Sequence, residues 1–381
     1  MKSSMVIGVL KEKIPETRVA VVPDSIRYLK DHDLEVLIEK DAGTLSNFSD
    51  EEYKKAGAIL KSRSDILSGS DIFPVVNHPG LEDMTLVGPG KVIAGCLNPF
   101  SEHDMVRLLV KNRVTSFSME LLPRTTIAQS MDVLSSMAMI SGYKAVIEAA
   151  MLLPGFMPMF MTAAGTLRPA RVLILGAGVA GLQAIATARR LGAVVEVFDV
   201  RSAVREEVLS LGGKFIEVPG SKEDISAGGY AVQQTGDFLK KQAELIRKHA
   251  VKSDVIICTA QIQGKKAPVL ITKEIVGELR PGSIIIDIAA STGGNCELTR
   301  NSEKIVYNGV TILGQSDYPA LMPYDASKMY SNNLISFLKL IIGSGERVVL
   351  NWDDEIVSKT CLTHDGRIIN TKIKQLIDGD S

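Results

Sequence analysis

Gly176, Gly178, Gly181 and Asp199 have the types and spacing of a dinucleotide site. The glycines follow an apolar, β-branched run, RVLIL, and open an alanine-rich helical stretch. A second apolar run, residues 194–198, ends in Asp199. Gly176 permits a tight turn, Gly178 lets the backbone approach a pyrophosphate, and Gly181 lets the helix pack close to the sheet. The free N–H groups and positive dipole end of that helix suit phosphate charge. Asp199 stands roughly 20 residues on, where it can accept hydrogen bonds from the adenosine ribose. A carboxylate there repels a 2′-phosphate, so the pattern predicts NAD(H) rather than NADP(H). A strand–turn–helix crossover without ligand would also use the glycines, but it leaves Asp199 unexplained.

These residues need strands and helices to hold them. The N-terminal part alternates the two: IGVLKEK, the apolar run VAVVP, a helix SIRYLKDH capped by Asp24 or Ser25, the strand LEVLIEK and a helix opening at Ser49. DIFPVV, KVIAGCL and VTSFSME continue as strands, with EHDMVRLLVKN a helix among them. After the glycine turn come KFIEV, DFLKKQAELIRKH, DVIICT, TKEIVGEL and SIIIDIA. Such alternation predicts an α/β fold of two Rossmann-like, doubly wound parallel-sheet domains. Long helical patterns near residues 128–151 and over YDASKMYSNNLISFLKLII would join them, with the cofactor in the cleft. The expected boundaries are 1–134 plus 308–381 for a discontinuous N-terminal-type domain and 135–307 for the nucleotide domain.

Composition excludes other classes. The chain has 381 residues and a formal net charge of −1, which gives no footprint for nucleic acid or an acidic membrane face. Cys96, Cys258, Cys296 and Cys361 are far apart with no CxxC, so no zinc site or disulfide framework is expected. The histidines show no ligand spacing; His78, His103 and His364 read as surface positions. No secretory signal is visible in MKSSMVIGVLKEK. The longest apolar stretch, residues 149–164, is too short for a membrane span and is broken by Pro154, Gly155 and Pro158. Its methionines read as core filling or the lining of a domain cleft. No direct membrane insertion is expected.

The segments IGVLKEKIPETRVAVVP, MELLPRTTIAQSMDVLSS, MTAAGTLRPARVLILGAGVAGLQAIATARRLGA and DIAASTGGNCELT resemble the soluble NAD(H)-binding domain I of proton-translocating nicotinamide nucleotide transhydrogenases. The resemblance spans nearly the entire chain, and alanine dehydrogenases share its architecture. It implies that Arg124, Gln129, Asp132 and Ser135 face the nicotinamide. Their chemistry is compatible: Arg124 offers a planar fork of donors to pyrophosphate or carboxamide. Asp132 can pair with Arg124, Gln129 is both donor and acceptor, and Ser135 can serve the carboxamide. The same spacing also suits a solvated polar helix N-terminus. The resemblance further assigns Val179 in the glycine turn, Val200 and Arg201 after the ribose acid, and Gly229 and Tyr230 in a loop closing over the nucleotide. The last pair also fits an ordinary hairpin. Gln242 lies on the helix after that loop, and Ala260 and Gln261 follow the strand DVIICT, where backbone can meet the nicotinamide ribose.

An alanine dehydrogenase needs a lysine, a histidine and an aspartate beside the nicotinamide. Arg18 is retained, but the corresponding regions read PVVNHPG without lysine, Asn98 for the histidine and Ser291 for the aspartate. His78 matches neither role. Neutral serine or asparagine cannot act as the base. A stand-alone amino acid dehydrogenase is therefore the alternative. Hydride exchange between two nicotinamides needs no such groups, only close approach and excluded water. One glycine fingerprint implies one nucleotide here and NADP(H) on a partner. In the family the partners are an NADP(H)-binding domain III and a membrane domain II that couples the exchange to proton movement. The resemblance also implies a homodimer and a cytoplasmic place, peripheral on the inner face of the cell membrane through partner subunits. The chain ends at IKQLIDGDS without a transmembrane segment, as a separate alpha-type subunit or a truncated form would.

Overall fold

The computed structural model describes residues 5–217, 236–262, 264–343 and 348–379. They fall into two compact units, Met1–Met137 with Pro319–Ser381, and Ala138–Tyr318. The first begins with β1 (Val6–Val9), β2 (Glu35–Glu39), β3 (Ile59–Lys61), β4 (Ile72–Asn77), β5 (Val92–Cys96) and β6 (Thr115–Ser118). The second holds the hairpin β7 (Phe160–Thr162) and β8 (Gly165–Leu167). Its main sheet uses β9 (Arg171–Leu175), β10 (Val194–Phe198), β11 (Lys214–Ile216), β12 (Val255–Cys258), β13 (Ile284–Asp287), β14 (Lys304–Tyr307) and β15 (Val310–Gly314). The chain then returns to the first sheet with β16 (Cys361–His364) and β17 (Arg367–Ile368).

The sheets share one winding. Their orders are β17-β16-β6-β5-β4-β1-β2-β3 and β11-β10-β9-β12-β13-β15-β14. In each, the first strand lies between the second and fourth of its unit's parallel series, so the order reverses beside it. Ligands of doubly wound sheets bind outside the carboxyl ends at such a switch point. In the second sheet that point lies between β9 and β12, where Leu173 pairs with Ile256. Only β14, β16 and β17 pair antiparallel with their neighbours in these two sheets.

Alternating residues bury both faces of the second sheet. Val172 and Ile174 pack with Ala184, Ile185 and Ala188 of the helix Val179–Arg190. Leu173 and Leu175 pack on the other side with Ile246 and Ile275. Each fully buried aliphatic side chain contributes about 1.5–3 kcal/mol. A sheet covered on both faces reads as continuous apolar runs, which is why these strands were legible. The first sheet buries Phe73, Val75 and Ile93 against Val106 and Leu109 of the helix His103–Lys111.

Several expectations change. The helix Pro23–Asp31 starts at Pro23 without a side-chain cap, so Asp24 and Ser25 sit in its first turn; Ser25 Oγ instead meets Ser331 Oγ at 2.7 Å. The run VAVVP is buried but forms no strand. Its Val19 and Val22 N–H groups donate to Ser327 and Ser331 on the helix Pro323–Ile341, not to a neighbouring strand. Ser49 does cap, in a reciprocal capping box with Glu52. His78, His103 and His364 are half-buried; His364 Nδ1 lies 3.0 Å from Thr115 Oγ1 and its ring packs on Trp352. Of the methionines in residues 149–164, only Met157 is buried, while Met151, Met159 and Met161 are exposed. Proline at 154 and 158 prevents the helix Val133–Leu152 from continuing, and the chain turns into the hairpin instead. The second unit runs past residue 307 to Tyr318, because β15 pairs in parallel with β13. No helix among the described residues is long and apolar enough to cross a membrane.

Candidate functional site

The glycine turn follows β9 at the switch point. Gly176 has φ +106°, which an L side chain rarely adopts, and a Cβ there would lie 2.6 Å from Thr259 Oγ1. Gly181 fixes the helix against the turn: a Cβ would stand 2.0 Å from the Gly176 carbonyl oxygen. Gly178 differs. It is the N-cap of the helix Val179–Arg190, and a Cβ there would meet nothing within 4 Å. No described atom crowds Gly178 on the side a Cβ would take, and no described side chain caps that helix end. Val179 at the first helical position is exposed.

Asp199, just past β10, reaches back to this turn. Its Oδ2 accepts the Ala177 N–H at 2.7 Å and its Oδ1 accepts the Arg201 N–H at 2.8 Å. Arg201 also grips both oxygens, Nε to Oδ1 at 2.8 Å and Nη2 to Oδ2 at 2.7 Å. A carboxylate accepts about four hydrogen bonds, so this one is fully used. Its side chain is 6% exposed, against 27% for Arg201. The guanidinium side is thus the more exposed side of the pair. Val200 packs at the edge of the apolar cluster beside Phe198.

On the other flank, Thr259 donates its hydroxyl to the Gly176 carbonyl at 3.0 Å and lies 3.2 Å from that of Leu175. Ala260 and Gln261 follow; Gln261 is exposed and its amide lies 3.4 Å from the Ile288 carbonyl. Gln242 is buried on the helix Gly236–Ala250, and its Oε1 has no hydrogen-bond partner among the described residues. Gly229 and Tyr230 lie outside the described residues.

Arg124, Gln129, Asp132 and Ser135 belong to the first unit. Arg124 and Gln129 are exposed, the latter on the 3-10 turn Ile127–Met131. That turn is tied down by buried Ala128 and Met131 and by the Asn333 amide, which donates to the Ser130 carbonyl at 2.8 Å. Asp132 caps the helix Val133–Leu152: it accepts the Ser135 N–H at 2.9 Å and its hydroxyl at 2.6 Å. That carboxylate thus meets Ser135 through both oxygens, with acceptor sites left on each. The expected helix from about residue 128 begins at Val133, after the 3-10 turn.

A second polar cluster lies at the carboxyl ends of the first sheet. Arg18 makes a fork to Glu16, with Nε at 2.7 Å and Nη2 at 2.6 Å. Burial opposes the charge on Glu16, but its bonds to Arg18 outweigh this and hold the carboxyl below its usual range. Asn77 donates to the same Glu16 at 2.9 Å. Glu12 accepts the Val76 N–H at 2.6 Å and the Asn77 N–H at 3.3 Å. Burial pushes its carboxyl up to about 7. Glu120 does likewise for Leu97 and Asn98, at 3.2 and 2.7 Å. These carboxyls close strand ends, whereas Asn98 and Ser291 are exposed neutral side chains.

Two residues the sequence pattern did not single out shape the second-unit site, Thr259 and Asn295. Their signal was only position: immediately after a strand, and immediately after the pair Gly293–Gly294.

The alanine dehydrogenase/PNT N-terminal domain family matches residues 8–141, and the corresponding C-terminal domain family matches residues 145–371. The chain belongs to the alanine dehydrogenase/PNT family. It is 44% identical over 376 residues to the first portion of the NAD(P) transhydrogenase alpha subunit of Rhodospirillum rubrum, covering 96% of this chain and 98% of that one. A solved transhydrogenase structure from Sinorhizobium meliloti superposes with a TM-score of 0.87 at 39% identity, over 96% of this chain and 100% of that one. An L-alanine dehydrogenase structure gives 0.82 at 22% identity, over 99% and 100%, which shows a common fold.

Proposed function

We propose that this member of the family is the NAD(H)-binding subunit of a proton-translocating NAD(P) transhydrogenase. It presents NADH for hydride exchange with NADP+ held on a partner's domain III. A membrane domain II couples that exchange to proton movement and keeps the subunit at the inner face of the cell membrane. The observation that carries the reading is the open helix N-terminus at Gly178 with Asp199 bonded to the same turn. It is supported by the transhydrogenase subunit of Rhodospirillum rubrum, 44% identical over 96% of the chain.

When bound, NADH supplies the hydride. Gly176 and Gly181 hold the turn, N–H groups at residues 178–181 receive the pyrophosphate, and Asp199 receives the ribose. Val179, Val200, Arg201, Gly229, Tyr230, Gln242, Ala260 and Gln261 complete the pocket. Arg124, Gln129, Asp132 and Ser135 orient the nicotinamide end, with Asp132 acting through Ser135. No base is needed, and Asn77, Asn98 and Ser291 offer none. We further propose a homodimer, supported by the exposed apolar hairpin of the second unit.

The test mixes the chain with an NADP(H)-binding domain III and both nucleotides, then omits each in turn. The expected result is rapid exchange that requires both nucleotides and both proteins. NADH formation from NAD+ and L-alanine by the chain alone, without exchange, overturns the proposal in favour of an amino acid dehydrogenase.

A further inference from the structure

Asn295 is fully buried, and its side chain is spent on main chain two loops away. Its Oδ1 accepts the Ala260 N–H at 3.0 Å, and its Nδ2 donates to the Ala260 carbonyl at 2.8 Å. The same Nδ2 donates to the Pro268 carbonyl, also at 2.8 Å. One carboxamide thus takes both polar groups of Ala260, as a neighbouring strand would, two residues beyond the end of β12. Asn295 is itself anchored. Its N–H and that of Cys296 donate to Asp287 Oδ2 at 2.7 and 2.9 Å, and the Thr299 hydroxyl joins them at 2.7 Å. Gly293 and Gly294, at φ +103° and +78°, let the chain fold over that carboxylate. A Cβ on Gly294 would lie 2.8 Å from Asp287 Oδ2. On the other side of Ala260, Thr259 reaches the Gly176 carbonyl. A continuous series of bonds therefore runs from the buried end of β13 to the glycine turn, and Asn295 is its central link.

We propose that Asn295 is a positioning residue that sets the main chain at Ala260 and Gln261 against the glycine turn, and so fixes the nicotinamide-side wall of the nucleotide site. This rests on the NAD(H) reading above. The side-chain amide supplies one acceptor for the Ala260 N–H and two donors, one each for the Ala260 and Pro268 carbonyls. Aspartate would keep the acceptor and turn lone pairs toward two half-buried carbonyls, each losing this donor. The adenosine side depends on β10 and Asp199, across β9 from β12, so it does not feel this loss.

The test uses the full chain and the variant Asn295→Asp, titrated with NADH and with ADP at pH 8 and pH 5.5 alongside thermal melts. At pH 8 the variant should bind NADH about tenfold more weakly, the loss of one to two half-buried hydrogen bonds. Its affinity for ADP, which has no nicotinamide half, should not change. At pH 5.5 the protonated carboxyl regains one of the two donors, and NADH affinity should recover in part relative to the parent. Unchanged NADH binding, or equal weakening of NADH and ADP, overturns the assignment. Should Asn295→Asp not fold, Asn295→Ser is judged by the same split between NADH and ADP. Failure of the parent chain to bind NADH would instead sink the NAD(H) reading, so the two failures are distinct.

Discussion

Asp199 carries its neighbour Arg201 as an internal counter-ion, and this changes what each residue contributes to binding. Two of the four bonds to the carboxylate come from main-chain N–H groups and persist. On the NAD(H) reading proposed above, the two from the guanidinium are the ones a ribose diol would replace. Asp199→Ala should therefore weaken NADH by at least about tenfold, as loss of charged hydrogen bonds implies. Arg201→Ala should leave NADH affinity within about threefold, since the diol exchanges one set of bonds for another. Fluorescence titration with NADH reads both; equal losses would mean that the pair binds as a unit. Glu12 gives a pH prediction. Burial raises its folded-state pKa to about 7, above the ordinary value of 4.5. The unfolded chain thus loses this proton first as pH rises. The associated stability is fully present below pH 4.5 and is lost as pH rises through 7. The loss amounts to about 3 kcal/mol at most. Urea denaturation at pH 5 and pH 8 should show a smaller decline for Glu12→Gln than for the parent. Parallel declines would remove Glu12 as the cause.

The strand–turn–helix element separates folding from binding among its glycines. A methyl at 181 collides with the Gly176 carbonyl, so Gly181→Ala must lift the helix from the sheet. It should cost about 1–3 kcal/mol of stability as well as NADH affinity. A methyl at 178 meets no described atom within 4 Å, and φ there is −77°. Gly178→Ala should therefore leave the melting temperature within about 2 °C while weakening NADH at least tenfold, because the methyl occupies the pyrophosphate's approach. Melting curves with and without NADH decide this; a large loss of stability in Gly178→Ala would contradict the open space. This element was legible because each glycine answers a constraint that is local in sequence. The parallel strands were legible for a similar reason, as doubly buried apolar runs. Asn295, Thr259 and the Arg201 fork were not, because their partners come from tertiary proximity. Glu12 and Glu120 were missed because a carboxylate closing a strand end leaves no periodic trace. The residues 149–164 were misread because apolar content alone does not distinguish a core segment from an exposed hairpin.

At the scale of the whole molecule, that hairpin leaves Met159, Phe160, Met161 and Leu167 exposed close together in sequence. An antiparallel pair normally sets one face on a core and the other in water, and an isolated two-stranded hairpin is marginal at best. Here every residue of β7 and β8 is exposed. Phe160 and Leu167 pair across the strands, and Phe160 packs on Phe156 with ring centroids 4.5 Å apart. Met161, on the opposite face, is 75% exposed. Apolar side chains exposed together favour the homodimer proposed above, and a net charge of −1 puts little repulsion between copies. A second copy can cover both faces through a two-fold contact in which each hairpin meets the same surface of its partner. The chain should therefore run at twice its mass in light scattering after size exclusion. Phe160→Asp with Met161→Asp should shift it to the monomer at micromolar concentration, because the charges would be buried without partners. Binding of ADP should survive in that variant, since the glycine turn and Asp199 lie in other elements. A parent that runs as a monomer, or a double variant that stays dimeric, would assign the hairpin to some other contact.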